Sequence, residues 1–521
     1  MRISPGGPCP FLTILAASFM DFLLLAFLYV LLAVLGLHGL YRLTQIAAAY
    51  SGQPPKEPGR PEGELAALTL QLPIYNERYV ATRLLQSCAA LRWPRERLQI
   101  QVLDDSDDVS SSVIADEVAA LQEQGIDIVQ IRRGERHGYK AGALAAGLHG
   151  ALDFPPARGE FIAILDADFV PEPDFLERCA ASLLQDEGLG VVQARWGHLN
   201  REHSLLTRIE ALFLDAHFGI EHQARQATNQ FLGFNGTAGV WRRQAIEDAG
   251  GWSHDTLTED LDISYRAQLA GWRILYLHDL VAPAELPAEM NAFKSQQFRW
   301  AKGSIECARK LLRMVWTAPG LRESTRLEAC CHLLSNATYP VVLLLSLLAL
   351  PITGLASAGR MAWPLRFEGL VFGMALLPVL LQFLLGQLRV GRSLRQSLPL
   401  LLPAVALGIG LSLGQSRAVL EAAFGKRSGF VRTPKYKLTE RTDSWLGKSY
   451  LSKGRLQSCC EIALGLACTC ASGLSLLHSA YALAAMMLLF AAGYCWVGWA
   501  SLLPSLFEHS RAKRASKSPS P

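Results

Sequence analysis

The chain has 521 residues, of which 50% are hydrophobic and 18% are charged, and its formal net charge is +4 at pH 7. This length is too great for one ordinary domain, and the small net charge does not indicate a nucleic-acid-binding protein. The eleven cysteines contain no C-x-x-C pair, which argues against a disulfide framework and leaves little support for a zinc site. Charged and apolar residues alternate only in the middle of the chain, so the composition predicts a soluble domain framed by membrane segments.

The N-terminal flank is uncharged over residues 22–40, which is long enough to cross ~30 Å of hydrocarbon as a helix. A cleaved signal peptide is the alternative interpretation. Its apolar part would be too long, however, and Gly36-Leu37-His38 is a poor cleavage site. We therefore predict an uncleaved transmembrane anchor and a linker rich in Pro, Gly and charge over residues 1–64.

Strands and helices alternate in the soluble region, which predicts a mostly parallel sheet with its ligand at the carboxyl ends of the strands. Predicted strands cover 68–72, 98–103, 126–131, 161–165, 191–196 and 271–277, and predicted helices cover 79–91, 110–124, 143–148, 203–226 and 243–249. Tyr75 and Glu77 follow the first strand, and Asp104 and Asp105 end the second. For Asp104 and Asp105, capping of the next helix is the alternative to ligand binding.

A basic loop from Arg132 to Lys140 precedes the small-residue helix predicted over 143–148. A lysine at a helix start is unfavourable for the helix dipole, but an anion there gains from both the lysine and the free N–H groups. A diphosphate or an acidic side chain would satisfy this position. The alternative is a solvated basic loop without a ligand.

Asp166-Ala167-Asp168 follows the most apolar of the predicted strands. Two carboxylates two residues apart at a strand end can converge on one hard cation, and they suit Mg²⁺ or Mn²⁺, which share coordination with substrate phosphates. The D-x-D pattern is weak by itself and gains weight from the strand before it.

Three further polar and aromatic clusters lie in turn-like settings beside apolar runs: Phe234-Asn235-Gly236, Thr258-Glu259-Asp260 and the helical face of Gln296, Arg299 and Trp300. Together they offer a proton acceptor, a cation for a phosphate and a flat ring for a sugar. A nucleotide-sugar transferase needs all three. The alternatives are a helix N-terminus capped by Thr258 with favourable acids, and a surface cation–π pair of arginine and tryptophan.

The C-terminal flank has apolar stretches at residues 333–356, 369–388, 398–413, 462–477 and 481–507, separated by basic connections. The connection around Arg389–Arg395, the segment 425–456 and the tail are all rich in Lys and Arg, so all three are predicted to be cytosolic. The stretch 398–413 is short and contains two prolines, so we predict that it is interfacial or re-entrant. Five crossings result, or six if this stretch spans the bilayer.

Taken in this order, the clusters resemble those of an inverting family 2 glycosyltransferase of the cellulose synthase-like superfamily. The resemblance covers residues 65 to about 313 and rests on Asp104 and Asp105, Asp166-Ala167-Asp168, Thr258-Glu259-Asp260 and Gln296-x-x-Arg299-Trp300. The stretches 234–239 and 429–435 are most similar to mannan and glucomannan synthase-like (plant CslA-like) proteins and their bacterial relatives. Cellulose synthases have a different version of the second stretch, which leaves the donor sugar open.

The resemblance implies an α/β GT-A fold, Rossmann-like with a mostly parallel sheet, attached to an α-helical transmembrane region. It implies Asp260 as the general base beside Glu259, a metal on Asp166 and Asp168, and Trp300 under the acceptor sugar. The donor-binding residues that it implies are Tyr75, Glu77, Asp104, Asp105, Lys140, Asp166 and Arg299. The further acceptor-binding residues that it implies are Gln296, Phe234, Asn235 and Gly236. It also implies a gating loop that contains Arg432, Thr433 and Lys435.

The expected domains are an anchor and linker (1–64), a glycosyltransferase domain (65–326), transmembrane and interfacial helices (327–424), a cytosolic gating segment (425–457) and two transmembrane helices with a basic tail (458–521). The expected protein is a multi-pass membrane enzyme with a cytosolic catalytic domain, in the inner or plasma membrane if bacterial. Its expected partners are a nucleotide-sugar donor such as GDP-mannose or UDP-glucose, a glycan or lipid acceptor and membrane lipid, with accessory subunits left open.

Three functions are compatible with these clusters. The first is a processive synthase that extends a β-linked polysaccharide and threads it through the membrane region. The second is a single-addition glycolipid synthase, and Trp300 favours the polymer over it because stacking platforms suit a sugar acceptor. The third is a transporter or scaffold with an inactive transferase domain, which the absence of a visible internal repeat and of central membrane charges disfavours.

Overall fold

The computed structural model describes residues 10–52, 59, 64–150, 154–357, 365–445, 448 and 455–515. Within these residues one seven-stranded sheet has the order β3-β2-β1-β4-β6-β5-β7. The strands are β1 (Leu68–Ile74), β2 (Leu98–Asp104), β3 (Ile128–Ile131), β4 (Phe161–Ile164), β5 (Leu189–His198), β6 (Gly239–Arg242) and β7 (Arg273–Ala284). The mostly parallel sheet predicted from the alternation of strands and helices is confirmed.

Strands β3, β2, β1 and β4 run parallel, β6 is antiparallel to both β4 and β5, and β5 is parallel to β7. The carboxyl ends of β1, β2 and β4 therefore meet at one edge of the sheet. This arrangement gathers Tyr75, Asp105 and Asp166 at one place, although they are far apart in the sequence.

Ten helices accompany the sheet and connect it to the membrane region in the part of the chain described from residue 64 to residue 333. They are α2 (Ala81–Ala89), α3 (Ser110–Glu123), α4 (Tyr139–His149), α5 (Phe175–Gln185), α6 (Leu205–Ala216), α7 (Gln223–Ala227), α8 (Arg243–Asp248), α9 (Glu259–Leu269), α10 (Met290–Thr317) and α11 (Glu323–Leu333). A π-helical turn, His217–His222, joins α6 to α7, so the single helix predicted over 203–226 is interrupted.

Helix α4 begins four residues earlier than predicted, at Tyr139, directly after Gly138 with its positive φ of 70°. Lys140 consequently lies in the first turn of the helix instead of in the loop before it. At the start of α9, Thr258 occupies the predicted N-cap position but makes no side-chain capping bond. Its hydroxyl instead lies 3.4 Å from the Cys307 sulfur on α10.

The sheet is buried on both faces, which explains the long apolar runs of β1 and β4. On one face of β1, Leu68, Leu70 and Leu72 are fully buried in a large core that also includes α2, α3 and α5. The other face of β1 carries Gln71, whose amide donates to Gln101 on β2 at 3.0 Å. Polar side chains in this position are tolerated because they pair with one another across neighbouring strands.

Six helices in the described residues are long and apolar enough to cross a membrane: they lie within α1 (Pro10–Ser51), α12 (Thr338–Ser357), α13 (Leu365–Arg389), α14 (Leu394–Ala423), α15 (Arg455–Leu477) and α16 (Tyr481–Ala515). The prediction of a short segment over 398–413 is wrong in its length, because α14 has 30 residues. The helix includes Pro399 and Pro403 and continues into polar residues at both ends, where an apolar pattern gives no signal. The candidates therefore number six, against the five crossings predicted from charge.

Candidate active site

Two cavities meet at the carboxyl edge of the sheet. The smaller one, which we call the edge cavity, has a volume of about 170 Å³ and lies where β1, β2 and β4 end. The larger one, which we call the bundle cavity, has a volume of about 500 Å³ and extends from Asp260 into helices α1, α12, α13 and α14. Trp196, Leu214 and Gln296 line both cavities, so the two adjoin. A ligand in one can reach a ligand in the other at this junction.

One end of the edge cavity pairs predicted donor-binding residues with arginines. Arg133 Nε donates to Asp105 Oδ1 at 2.9 Å. The guanidinium of Arg136 lies 3.4 Å from the centre of the Tyr75 ring, as in a cation–π contact. Asp105 and Tyr75 both line the cavity. A base and a ribose placed here would meet an aromatic face, a carboxylate and two cations.

Asp104 is positioned differently from its neighbour Asp105. It is only 1% exposed and is not among the residues that line the edge cavity. Its Oδ2 accepts hydrogen bonds from Ser111 Oγ at 2.6 Å and from Gln130 Nε2 at 2.7 Å. This carboxylate therefore ties β2 to α3 and β3.

Asp166 lies at the end of β4 and contacts the first turn of α4. Lys140 Nζ donates to Asp166 Oδ1 and to the Gly236 carbonyl oxygen, the second at 2.9 Å. The Asp166 backbone N–H donates to Thr237 Oγ1 at 2.8 Å. Burial raises the pKa of Asp166, and the Lys140 ammonium opposes that shift. The lysine predicted to meet a diphosphate is therefore held by an acidic side chain in this structure.

Asp168 is paired with a lysine from a distant part of the chain. Lys435 Nζ donates to Asp168 Oδ2 at 2.8 Å, and the Glu285 backbone N–H donates to the same oxygen at 3.2 Å. The Glu285 carboxylate accepts the backbone N–H of Tyr436 at 2.7 Å. These contacts fix the loop after α14 against the end of β7.

Asp166 and Asp168 have the donor chemistry that a divalent cation requires. Both line the edge cavity, and oxygen ligands from carboxylates suit Mg²⁺ and Mn²⁺. The described residues contain no cluster of three or more metal-binding side chains. Such a small set fits an ion that takes its remaining ligands from phosphate oxygens and water. The carboxylates of Asp166 and Asp168, which pair with Lys140 and Lys435 in the structure, would hold the divalent cation.

Glu259 and Asp260 form the first turn of α9, where the helix dipole favours acidic groups. Asp260 Oδ1 accepts the Leu261 backbone N–H at 2.8 Å. Burial raises the pKa of Asp260 to about 7, and the Glu259 carboxylate adds to the shift. A Cβ atom at position 236 would lie 2.8 Å from Asp260 Oδ2 and 3.5 Å from Lys140 Nζ. Only glycine allows Asp260, Lys140 and this turn to approach so closely.

Helix α10 brings Gln296, Arg299 and Trp300 to the junction of the cavities. Arg299 lines the edge cavity, Trp300 lines the bundle cavity, and Gln296 lines both. The Trp300 ring centroid is 6.5 Å from that of Trp196. Burial lowers the pKa of Arg299 to about 10, so its guanidinium stays charged at neutral pH. The helical spacing thus places a cation in the edge cavity and an aromatic ring in the bundle cavity.

Two residues of the predicted Phe234-Asn235-Gly236 cluster line the bundle cavity. Phe234 lines it, is 1% exposed and packs edge-to-face on Trp241 with centroids 5.4 Å apart. Asn235 lines the bundle cavity, and its side-chain amide lies 3.1 Å from His217 Nε2 in the π-helical turn. Gly236 supplies the carbonyl that holds Lys140.

The loop after α14 closes the edge cavity. Arg432 forms a bidentate ion pair with Glu77, with Nε–Oε1 at 2.8 Å and Nη2–Oε2 at 2.9 Å. Thr433 and Lys435 line the cavity beside it. Burial raises the pKa of Glu77 to about 7, and Arg432 opposes the shift. All three residues predicted for the gating loop therefore lie on the cavity wall.

Several lining residues were not identified from the sequence. Trp196 lies near the end of β5, and its place at the end of a predicted strand is a signal that identifies it as a candidate lining residue. The sequence places Arg136 in a basic loop but does not indicate its contact with the Tyr75 ring. Phe430 packs under the Arg299 guanidinium at 4.6 Å, and no local pattern marks a ring in an irregular loop.

Known proteins resemble this chain in sequence. The family described as "Glycosyl transferase family 2" matches residues 69–250, and "Glycosyl transferase family group 2" matches residues 161–385. A probable glucomannan 4-beta-mannosyltransferase 7 of Oryza sativa subsp. japonica is 38% identical over 318 residues, which are 58% of this chain and 53% of that protein. Glucomannan 4-beta-mannosyltransferase 2 of Arabidopsis thaliana is 43% identical over 244 residues, which are 47% of this chain and 45% of that protein.

The chain spans about half the length of the curated relatives it matches. Among solved structures, the mannosyltransferase PcManGT of Pyrobaculum calidifontis, in complex with GDP-Man and Mn²⁺, is similar with a TM-score of 0.53 and 19% identity. The similarity covers 78% of this chain and 100% of that chain. At this identity it shows the fold alone. The family 2 resemblance drawn from the motifs is confirmed.

Proposed function

We propose that this chain, which belongs to the family 2 glycosyltransferases of the cellulose synthase-like type, transfers a hexose from a nucleotide sugar to the end of a β-linked glycan. One observation supports this most strongly. The cavity containing Asp166 and Asp168 adjoins the cavity containing Asp260, and the two share Trp196, Leu214 and Gln296. A donor on one side and an acceptor hydroxyl on the other would therefore meet at this junction.

In the proposed reaction Asp260 accepts the proton of the acceptor hydroxyl, whose oxygen then attacks the anomeric carbon. The bond from that carbon to the diphosphate oxygen breaks, and the diphosphate leaves with the electron pair. Attack from the face opposite the leaving group inverts an α-linked donor to a β-linked product, and a single base suffices. Lys140 and Arg299 line the donor side and would neutralise the developing charge. A divalent ion held by Asp166 and Asp168 would supply further charge neutralisation there.

We assign the nucleoside end of the donor to Tyr75 and Asp105. Both line the cavity beside Arg136 and Arg133, whereas Asp104 makes only structural contacts in the described residues. Asp104 would thus support donor binding by holding the end of β2 in place. Glu77, through its ion pair with Arg432, would keep the gating loop over the bound donor and exclude water.

GDP-mannose is the donor that the relatives favour, because two similar plant proteins are glucomannan mannosyltransferases. UDP-glucose is the second candidate. The test is to incubate the purified full-length protein with each donor and a β-mannan oligosaccharide, and to measure release of GDP or UDP together with a longer oligosaccharide. Release of neither nucleotide, with the protein folded and Mn²⁺ present, would overturn the proposed function.

The bundle cavity supports polymer extension coupled to translocation. It begins at Asp260 and Trp300 and is lined further on by Tyr41 of α1, Tyr339 of α12 and Phe383 of α13. An enzyme that adds one sugar to a lipid would not need such a long cavity. Product sizing distinguishes the two functions: a ladder of oligosaccharides supports processive synthesis, and one lipid-extractable product supports the glycolipid synthase.

We propose that α14 lies along the membrane surface although it is long enough to cross. Before its start, Arg392 Nη2 lies 2.8 Å from Glu202 Oε1 of the catalytic domain. At its end, Glu421 Oε2 lies 3.2 Å from Lys302 Nζ of α10. A single crossing would carry the two ends to opposite sides, so contacts of both ends with one domain favour an interfacial helix and five crossings.

Five crossings predict that the residues after Ala515 are on the same side as the catalytic domain, in the cytosol. A reporter fused to the C-terminus checks this in a bacterial expression host: a fluorescent protein should fold and an alkaline phosphatase should stay inactive. With six crossings the outcome reverses, because α14, α15 and α16 would then leave the C-terminus outside. An active phosphatase fusion would therefore contradict the interfacial placement of α14.

The raised pKa of Asp260 predicts the pH dependence of transfer. The base must be ionised, and its pKa of about 7 lies far above the ordinary carboxylate value, so the ionised fraction falls as pH drops below about 7. We expect kcat to fall about tenfold per pH unit below that value and to level off above it. Initial rates at saturating donor, from about pH 5 to about pH 8, provide the measurement.

Saturating donor is required because Glu77 also has a pKa of about 7. Its protonation would weaken the ion pair with Arg432 and raise KM for the donor in the same pH range. Separate plots of kcat and KM against pH distinguish the two groups, because protonation of Asp260 lowers kcat and protonation of Glu77 raises KM for the donor. A flat kcat profile over this range would show that Asp260 does not titrate as the base.

A further inference from the structure

Glu210 is a buried carboxyl group that the reaction described above does not use. It is 3% exposed, lies on α6 and lines the bundle cavity. Its Oε1 atom has no hydrogen-bond partner. Buried polar atoms are rarely left unpaired, and an unpaired one in a cavity wall indicates a group that meets a ligand. The α6 residues that pack into the neighbouring core, Leu206, Ile209 and Leu212, are apolar, and Glu210 is not part of that cluster.

The position of Glu210 along α6 places it near the cavity junction. Leu214 follows one helical turn later on the same face and lines both cavities, and Phe213 lines the bundle cavity three residues after Glu210. The charge of Lys435, which donates a hydrogen bond to Asp168 in the edge cavity, acts on Glu210 and opposes the rise of its pKa. Glu210 is therefore close to the place where donor and acceptor would meet.

The charge state of Glu210 restricts the kind of ligand. Burial raises its pKa well above the ordinary value, and Lys435 opposes this only in part. This shift favours the protonated carboxyl group, which both donates and accepts a hydrogen bond. An anionic ligand gains little from such a group. An acyl chain would leave it unpaired.

Part of the wall suits a neutral, hydroxyl-bearing chain with flat apolar faces. The charged side chains that also line this cavity, Arg42, Glu221 and Arg225, form ion pairs with one another. Aromatic side chains from strand β5 and from several helices line the same cavity: Trp196, Phe213, Phe293, Trp300, Tyr339 and Phe383. Rings of this kind pack on sugar faces, while a carboxyl group pairs with sugar hydroxyls. Gln296 and Asn235 add further hydrogen-bonding groups.

We propose that Glu210 binds a hydroxyl of the acceptor glycan, forming with Trp196 and Phe213 a subsite next to the sugar that is deprotonated by Asp260. This subsite rests on the proposed function, because it gives the acceptor of that reaction a second point of attachment. Asp260 contacts the reacting hydroxyl, whereas Glu210 holds a hydroxyl that does not react. Its loss should therefore weaken acceptor binding and leave the chemical step intact.

The test compares Glu210→Leu with Glu210→Gln in the full-length protein in detergent. The ligand is a β-1,4-linked mannohexaose, and binding is followed by tryptophan fluorescence without any donor present. We expect Glu210→Leu to raise Kd about tenfold, because one hydrogen bond to a hydroxyl is lost. Glu210→Gln has the same size, stays neutral and can donate and accept, so its Kd should stay within about threefold of wild type.

Two controls make the result specific. Glu187→Leu changes an exposed glutamate outside both cavities and should bind like wild type. The Kd for GDP-mannose, measured on each variant, should stay unchanged because Glu210 does not line the edge cavity. Unchanged donor binding also shows that Glu210→Leu is folded.

Three outcomes would overturn the proposal. The first is a Glu210→Leu protein that binds the hexasaccharide as tightly as wild type. The second is an equal loss of sugar and donor binding in both Glu210 variants, which would indicate a structural role. The third is a wild type that binds no hexasaccharide. Failure of the proposed function is distinguishable from all of these: wild type would bind the sugar but transfer no hexose from either donor.

Discussion

Replacement of Asp260 by asparagine should lower the rate of hexose transfer by about 10³-fold while the affinity for the nucleotide sugar stays near that of wild type. Asparagine keeps the shape of the side chain and can still accept the Leu261 N–H, but it cannot take a proton from a hydroxyl. Asp260 lies outside the lining of the edge cavity, so the donor should be held as before. The measurements are single-turnover transfer rates and a donor-binding titration.

Glu259→Gln is the matched control for this substitution. Glu259 is adjacent in the same helical turn, but it is not among the residues that line either cavity. We expect its loss to change transfer far less and to lower the pKa of Asp260, since the Glu259 carboxylate contributes to raising it. The midpoint of the kcat profile should then move to lower pH. Equal activity of Asp260→Asn and wild type would remove Asp260 from the mechanism.

The physical basis of the site is the meeting of strand ends and helix starts at one edge of the sheet. Strands β1, β2 and β4 end there with Tyr75, Asp105 and Asp166, and α4 and α9 begin there with Lys140 and Asp260. Carboxyl ends of strands and amino ends of helices both expose unpaired backbone groups, which favour polar ligands. Two lysines, Lys140 and Lys435, pair with the carboxylates of Asp166 and Asp168, which we propose as metal ligands, and their charges stabilise this concentration of negative charge.

Much of this fold was predictable because its signals are local. A buried strand such as β4 must be apolar, so the acids immediately after it stood out, and the alternation of strands and helices gave the parallel sheet. The membrane helices were equally visible as long apolar stretches. Motif order then linked Asp166, Asp260 and Arg299 as members of one site, although their distances are set only by the fold.

The errors and omissions share a different cause, namely contacts between distant parts of the chain. The length of α14 was underestimated because its polar ends are stabilised by pairing with Glu202 and Lys302, which no local pattern records. Asp104 and Asp105 look equivalent in the sequence. In the structure, however, Gln130 on β3 donates a hydrogen bond to Asp104, whereas Arg133 donates one to Asp105. Glu210 is one of several polar residues in α6, and only its burial in the cavity wall distinguishes it from a surface glutamate.

Replacement of Asp168 by asparagine should lower transfer by at least about 10²-fold, and a chelator should have a comparable effect on wild type. The amide has no charge and is a poor ligand for a hard cation, so one of the two proposed metal-binding carboxylates is lost. Binding of Mn²⁺ in the presence of GDP, followed by electron paramagnetic resonance, should weaken in this variant. Asp186→Asn is the control. Asp186 is in the loop before β5, pairs with Arg273 and lies outside both cavities.

The ion pair of Asp168 with Lys435 provides a second explanation that must be separated from metal binding. The variant also removes the carboxylate partner of this buried ammonium and leaves it with the Glu285 carbonyl oxygen, and this loss alone would displace the gating loop. Lys435→Met removes the ammonium while Asp168 stays intact, so it should keep Mn²⁺ affinity and lose donor affinity. If a chelator leaves wild-type transfer unchanged while Asp168→Asn and Lys435→Met lose it equally, the carboxylate acts by holding the loop and the metal assignment is wrong. If Mn²⁺ affinity falls in Asp168→Asn and is kept in Lys435→Met, the Asp168 carboxylate binds the cation.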